Sequence, residues 1–204
     1  MAGLWIFGYG SLVSPVSFGH TLGRELVPGV DFFEAELAGY GRRWNYGTGV
    51  TFTATGPDGV ERSDWTFIAL GLVRAADEST NGVIARVDET ELVALDRRES
   101  RYDRIDVTEH VSLDAAASTV VDGATVATYV PRAEPIADFE AAKARGVAAI
   151  TSRYHDLVDD AFADLGIDRR DRYRATTPHP EIPVLVLAEA DVPERHRDRR
   201  TDVR

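Results

Sequence analysis

The sequence predicts an α+β fold. Its β-type runs are separated by turns and irregular connections rather than by regularly alternating helices, its most periodic helical segment lies toward the C-terminus, and it has no internal repeat. At 204 residues and 44% hydrophobic content the chain can close one core without a staple. A single domain over 1–190 is expected. The remaining segment, 191–204, carries Glu194-Arg195-His196-Arg197-Asp198-Arg199-Arg200, lacks apolar anchors and is expected to be a disordered charged tail.

Leu4 to Tyr9 reads as a first strand ended by Gly8 and Gly10, with Pro15 suited to open a short helix over Pro15 to Leu22. Phe33 to Asn45 and Trp65 to Val73 read as long strands on either side of a turn at Gly56-Pro57-Asp58-Gly59. Asn81-Gly82 has the composition of a tight turn, which makes Val83 to Val87 a separate short buried strand. Asp88 and Glu91 have capping-box spacing ahead of Leu92 and Leu95, so a helix follows and should end near Arg98.

Tyr102 to Val111 and Ala124 to Val130 read as further strands joined by a polar connection around Asp122-Gly123. Val147, Ile150, Tyr154, Leu157, Val158 and Phe162 fall on one helical stripe that Gly166 can terminate. Pro178, Pro180 and Pro183 then carry the chain irregularly to a last apolar run at Val184 to Leu187.

Composition narrows function by exclusion. The chain has no cysteine, which removes disulfides, a thiolate nucleophile and every cysteine-bearing metal site. Its net charge of −11 opposes nucleic acid and anionic membrane as partners, and no apolar run approaches the roughly 20 residues of a membrane helix. Leu4-Trp5-Ile6-Phe7 is too short for a signal-peptide core and lacks a basic flank, so a cytoplasmic location is expected. The five histidines show neither H-E-x-x-H nor any paired spacing, and no metal is expected. No feature of the sequence sets an oligomeric state.

Two segments carry candidate chemistry. Phe7-Gly8-Tyr9-Gly10-Ser11-Leu12 puts two glycines and a serine where a strand opens into a loop, so backbone N–H groups can approach an anionic ligand; a plain tight turn is the commoner use of such a pair. Gly8-Tyr9-Gly10 also begins a dinucleotide-binding pattern with Asp31 at a suitable distance. Val13 at the third small position, with Pro15 and Gly19 beyond it, argues against that use. The second segment is Leu95 to Tyr102, where Glu99 sits among Arg97, Arg98 and Arg101; taken alone, a glutamate among arginines is usually a solvated ion pair.

Together, Gly8-Tyr9-Gly10-Ser11-Leu12 after a strand, then Arg98-Glu99 with Tyr102 close behind, resemble the γ-glutamylcyclotransferase-like family. Leu37 to Trp44 (LAGYGRRW), Gly82 to Val87, Ala127-Thr128-Tyr129-Val130 and the helix containing Tyr154 extend the likeness over most of the domain. The resemblance implies a small mixed β-barrel flanked by helices, with the site at its mouth and no cofactor. It implies that Gly8, Tyr9, Gly10, Ser11 and Leu12 bind the amino-acid end of a small γ-glutamyl substrate, with Tyr102 and Tyr129 beside it. Glu99 is then the general acid/base that lets the substrate's α-amine attack its own γ-carbonyl, releasing 5-oxoproline and a free amine. For this, Glu99 must face the loop across a pocket of γ-glutamyl size, with Arg98 and Arg101 pointing away. A non-catalytic binder of a small amino acid or γ-glutamyl metabolite, or an amide hydrolase, are the alternatives. Thr48 to Asp64, and everything after Thr177, have no counterpart in the family pattern.

Overall fold

The computed structural model describes residues 3–187, so the charged tail lies outside the described residues. In chain order the elements begin with β1 (Leu4–Gly8), α1 (Pro15–Leu22), β2 (Phe32–Thr55), β3 (Glu61–Val87) and α2 (Glu89–Arg98). They continue with β4 (Tyr102–Asp106), β5 (Val111–Ser112), α3 (Ala115–Val121), β6 (Thr125–Pro131) and α4 (Ala133–Ala144). The last are β7 (Ala148–Thr151), α5 (Ser152–Leu165), α6 (Ile167–Thr176) and β8 (Val184–Leu185).

Among the described residues these form a mixed sheet curled into a half-barrel and flanked by six helices, the α+β architecture expected. The strands follow the order β4-β6-β1-β3-β2-β5, with β7 pairing β3 and β8 pairing β7. β1 is central, antiparallel to β3 and parallel to β6. Its near-continuous apolar run suits a strand covered on both faces, and Trp5, Ile6 and Phe7 are all buried.

The longest elements are β2 and β3, one hairpin paired from Phe32 with Ala85 to Thr55 with Glu61. Its turn lies at the expected Gly56 to Gly59 and closes with a hydrogen bond from Gly56 N–H to the Val60 carbonyl, 2.9 Å. Thr48 to Asp64 is therefore the distal end of this hairpin. Register shifts at Ala38/Tyr40 and Gly47/Thr51 flank Gly39 and Gly49, whose φ values of 78° and 73° a side chain would resist. Such bulges bend and twist a strand, which is how two long strands curl.

Several local readings are corrected. Asn81-Gly82 is not a turn but part of β3, paired with Glu36 and Ala35. Gly82 is there because β1 passes so close: a Cβ on it would lie 2.3 Å from the Gly8 carbonyl oxygen and 2.7 Å from the Phe7 ring. The strand from Tyr102 stops at Asp106, whose carboxylate accepts a hydrogen bond from Thr108 N–H (2.9 Å) and turns the chain into a short 3-10 turn, Thr108–His110. Val147 and Ile150 precede the helix; Ile150 belongs to β7, wedged between β3 and β8, and Val147 just before it accepts from Thr66 N–H at 2.7 Å. The helix begins at Ser152, capped by the Thr151 side chain, and ends at Gly166 as read.

Other local signals hold. Asp88 and Glu91 form a reciprocal capping box at the start of α2, and Pro15 opens α1 behind a Ser14 cap. Replacing Gly82 by Ala should overpack the β1–β3 contact and lower the unfolding free energy by about 1–3 kcal/mol, readable as a lower midpoint in urea denaturation with an unchanged slope.

Candidate functional site

The loop leaving β1 folds back tightly, since a Cβ on Gly8 would meet the Leu12 Cβ at 2.7 Å. It is tied to β6 by Tyr9, whose hydroxyl donates to the Tyr129 carbonyl at 2.8 Å. Ser11 to Val13 make one 3-10 turn, closed by Val13 N–H to the Gly10 carbonyl at 2.9 Å. In such a turn the N–H groups of Ser11 and Leu12 have no partner within the turn, which leaves backbone donors of the kind that bind carboxylates.

Glu99 reaches the same place from the other direction. It caps the C-terminus of α2, its N–H donating to the Leu95 carbonyl (2.8 Å) and its own carbonyl accepting from Tyr102 N–H (2.9 Å). Its side chain is only 15% exposed and lines a recess with Phe7, Tyr9, Gly10, Ser11, Leu12, Leu70, Tyr102, Tyr129 and Tyr154. The free volume is about 30 Å³. It is a narrow cleft open to solvent on one side, so a γ-glutamyl ligand would extend through its mouth or part its lining.

Burial pushes the Glu99 carboxyl above the usual glutamate range, and the positive charge of Arg98 opposes this without cancelling it. The expectation that both arginines point away is half met. Arg101 turns outward to the Gly47 carbonyl (2.9 Å) and Asp138. Arg98 does not: its Nε lies 3.0 Å from Glu99 Oε1, and it also donates to Ser11 Oγ at 2.8 Å and to the Ser17 carbonyl at 3.2 Å. The reason is the packing of α2 against α1, which lays the last turn of α2 beside Ser17 and Thr21.

Phenols surround the carboxylate. Burial first, with the Glu99 charge adding to it, raises the pKa of Tyr9, Tyr102 and Tyr154, so these hydroxyls remain protonated donors. Tyr102 stacks on Tyr46 with centroids 4.2 Å apart, and its hydroxyl reaches the Leu70 carbonyl at 3.3 Å. Burial pushes Tyr46 up to about 12. The Tyr129 hydroxyl donates to Asp96 Oδ1 at 2.8 Å.

Of the residues singled out in the sequence, Tyr9, Gly10, Ser11, Leu12, Glu99, Tyr102 and Tyr129 meet at this recess. Gly8 does not line it; it serves the close passage of β3. Leu70 and Tyr154 line it without having been picked out. Gly10 carries the one trace of Tyr154, since a Cβ there would sit 3.1 Å from that hydroxyl; Leu70 has no local signature. Asp31, weighed as a dinucleotide partner, is held by Arg24 and by Val27 N–H. Among the described residues no group of three or more His, Cys, Asp or Glu side chains is placed to hold a metal ion, and no helix is long and apolar enough to cross a membrane.

No protein-family model matches the sequence, and no curated protein matches it. Solved structures match it in fold. A γ-glutamyl cyclotransferase superposes with a TM-score of 0.51 at 14% identity, covering 87% of this chain and 92% of that one. An uncharacterized protein from Homo sapiens gives a TM-score of 0.51 at 14% identity, covering 89% and 94%. The chain therefore has a γ-glutamyl cyclotransferase-like fold.

The raised Glu99 pKa has a consequence for stability. The folded chain holds this proton where the unfolded chain, with its glutamate near 4.3, has lost it, so Glu99 costs stability as pH rises from about 4.3 through its folded pKa. Urea denaturation of wild type and Glu99→Gln between about pH 4 and pH 8 should show the difference moving in favour of the variant as pH rises. Parallel curves would mean a solvated Glu99.

Proposed function

We propose that the chain is a γ-glutamylcyclotransferase-type enzyme that converts a γ-glutamyl amide to 5-oxoproline and a free amine. The carrying observation is Glu99, a buried carboxyl of raised proton affinity that shares one recess with the Ser11–Leu12 turn. The fold likeness supports the same reading.

In this reading the substrate's α-carboxylate sits on the N–H groups of Ser11 and Leu12. Ionised Glu99 takes a proton from the α-amine, whose nitrogen attacks the γ-carbonyl carbon. A C–N bond forms and the carbonyl electrons move to oxygen. The tetrahedral species collapses by breaking the bond to the leaving nitrogen, which takes the proton back from Glu99. Five-membered ring closure within one molecule asks chiefly for the substrate to be held folded, with donors for the transient oxyanion. Tyr154, whose hydroxyl accepts from Leu70 N–H at 3.4 Å and keeps its own O–H, is the phenol that can donate within the recess; those of Tyr9 and Tyr102 are given to backbone carbonyls. A base with a raised pKa suits both halves of the proton shuttle near neutrality.

Widening the narrow recess would ease entry. Tyr102 is the candidate side chain to move, being held at its hydroxyl by a long bond and on one face by the Tyr46 ring. The Arg98–Glu99 pair favours one second reading, a non-catalytic binder of a small γ-glutamyl metabolite or amino acid, because a paired carboxylate is a poorer base.

Glu99→Gln should reduce 5-oxoproline release from a panel of γ-glutamyl amino acids and amines by about 10²–10⁴-fold, with circular dichroism confirming that the variant folds. Release at the parent rate would remove Glu99 from the mechanism. Glutamate as the product would replace cyclisation by hydrolysis.

A further inference from the structure

We propose that Arg98 is a positioning residue that holds the base Glu99 and the cradle residue Ser11 in register, acting on a ligand through both; this rests on the recess being the γ-glutamyl site. Arg98 does not itself line the recess, yet it binds two residues that do. Its three nitrogens serve four partners in three directions. Nε meets Glu99 Oε1 at 3.0 Å, one terminal nitrogen donates to Ser11 Oγ at 2.8 Å, and the other donates to Ser17 and Thr21 on α1. A planar guanidinium can hold three such directions at once, whereas an ammonium offers a single point of charge.

Each contact has a chemical consequence. Because Ser11 Oγ accepts from Arg98, its own O–H is left to donate, adding a third donor beside the N–H groups of Ser11 and Leu12. Because Glu99 Oε1 is engaged, the other oxygen is the one left to take a proton. The guanidinium charge also opposes the rise that burial imposes on the carboxyl, favouring its ionised form. The other titratable groups facing Glu99 are phenols: Tyr9 from the β1 loop, Tyr46 from β2, Tyr102 from β4, Tyr129 from β6 and Tyr154 from α5. All have raised pKa values and stay neutral, so among the described residues Arg98 is the facing charge.

The test compares wild type, Arg98→Gln, Arg98→Lys and Thr21→Val, the last removing one of the ties to α1. In Arg98→Gln the acid limb of the kcat/KM–pH profile should move upward by about one unit or more, and KM should rise about tenfold. Arg98→Lys should restore the limb but not KM. If Arg98→Gln behaves as Thr21→Val does, losing thermal stability with limb and KM unmoved, Arg98 is only a strut and the proposal fails. Calorimetric binding of 5-oxoproline separates this from the enzyme reading. A wild-type chain that turns over nothing but binds 5-oxoproline with Arg98-dependent affinity overturns the enzyme and supports Arg98. A chain that neither turns over nor binds it overturns both.

Discussion

The backbones of β1 and β3 pass each other at Gly8 and Gly82 with no room for a side chain between them. That contact sets β1 into the middle of the sheet, and the site follows from it by simple distances. β3 ends at Val87 opposite Leu4, at the start of β1. The ten residues of α2 then cover about 15 Å, close to the roughly 17 Å of the five-residue β1. The helix that returns along β1 therefore runs out where β1 itself runs out. Its C-cap residue, Glu99, lands beside the loop that β1 releases, and the Arg98 contact to Ser11 is the direct record of that meeting.

What Glu99 is worth there depends on two opposed effects of similar origin. Withdrawal from water favours the neutral acid, and the neighbouring guanidinium favours the carboxylate. Burial wins at this site because the recess is narrow and its walls are phenols, which supply hydrogen-bond donors but no charge at neutral pH. An exposed glutamate next to the same arginine would be an ordinary surface pair worth little. The small free volume and the perturbed carboxyl are thus one fact seen twice: whatever opens the recess to a ligand also changes the solvation of its base.

How much of this was legible in the sequence follows the range of the interactions involved. Asp88 with Glu91 and Ser14 with Pro15 act within a single turn, and both helix starts were readable. Asn81-Gly82 was misread because its turn-like composition answers to a partner far away in sequence, the Gly8 carbonyl. Val147 and Ile150 were misread because strand pairing with β3 and β8 overrides a helical spacing. The helices α3, α4 and α6 lacked a signal: α6, IDRRDRYRAT, buries Tyr173 alone, and α4 carries Pro135 in its first turn. At the site, the loop and Glu99 were readable as a pair, whereas Leu70 and Tyr154 arrive from a long hairpin and a late helix that no local pattern links to either.

A fold shared at 14% identity accounts for delivery and not for chemistry. The half-barrel would bring a helix C-cap to the β1 loop whatever residue stood at 99. The chemistry in this chain depends on the delivered residue being a carboxyl kept from water, and on the residue before it reaching across to a serine that lines the recess. Arg97, one place earlier, lies a helical step of about 100° away. The order of two adjacent arginines on α2 therefore decides which of them the base meets, and it is Arg98.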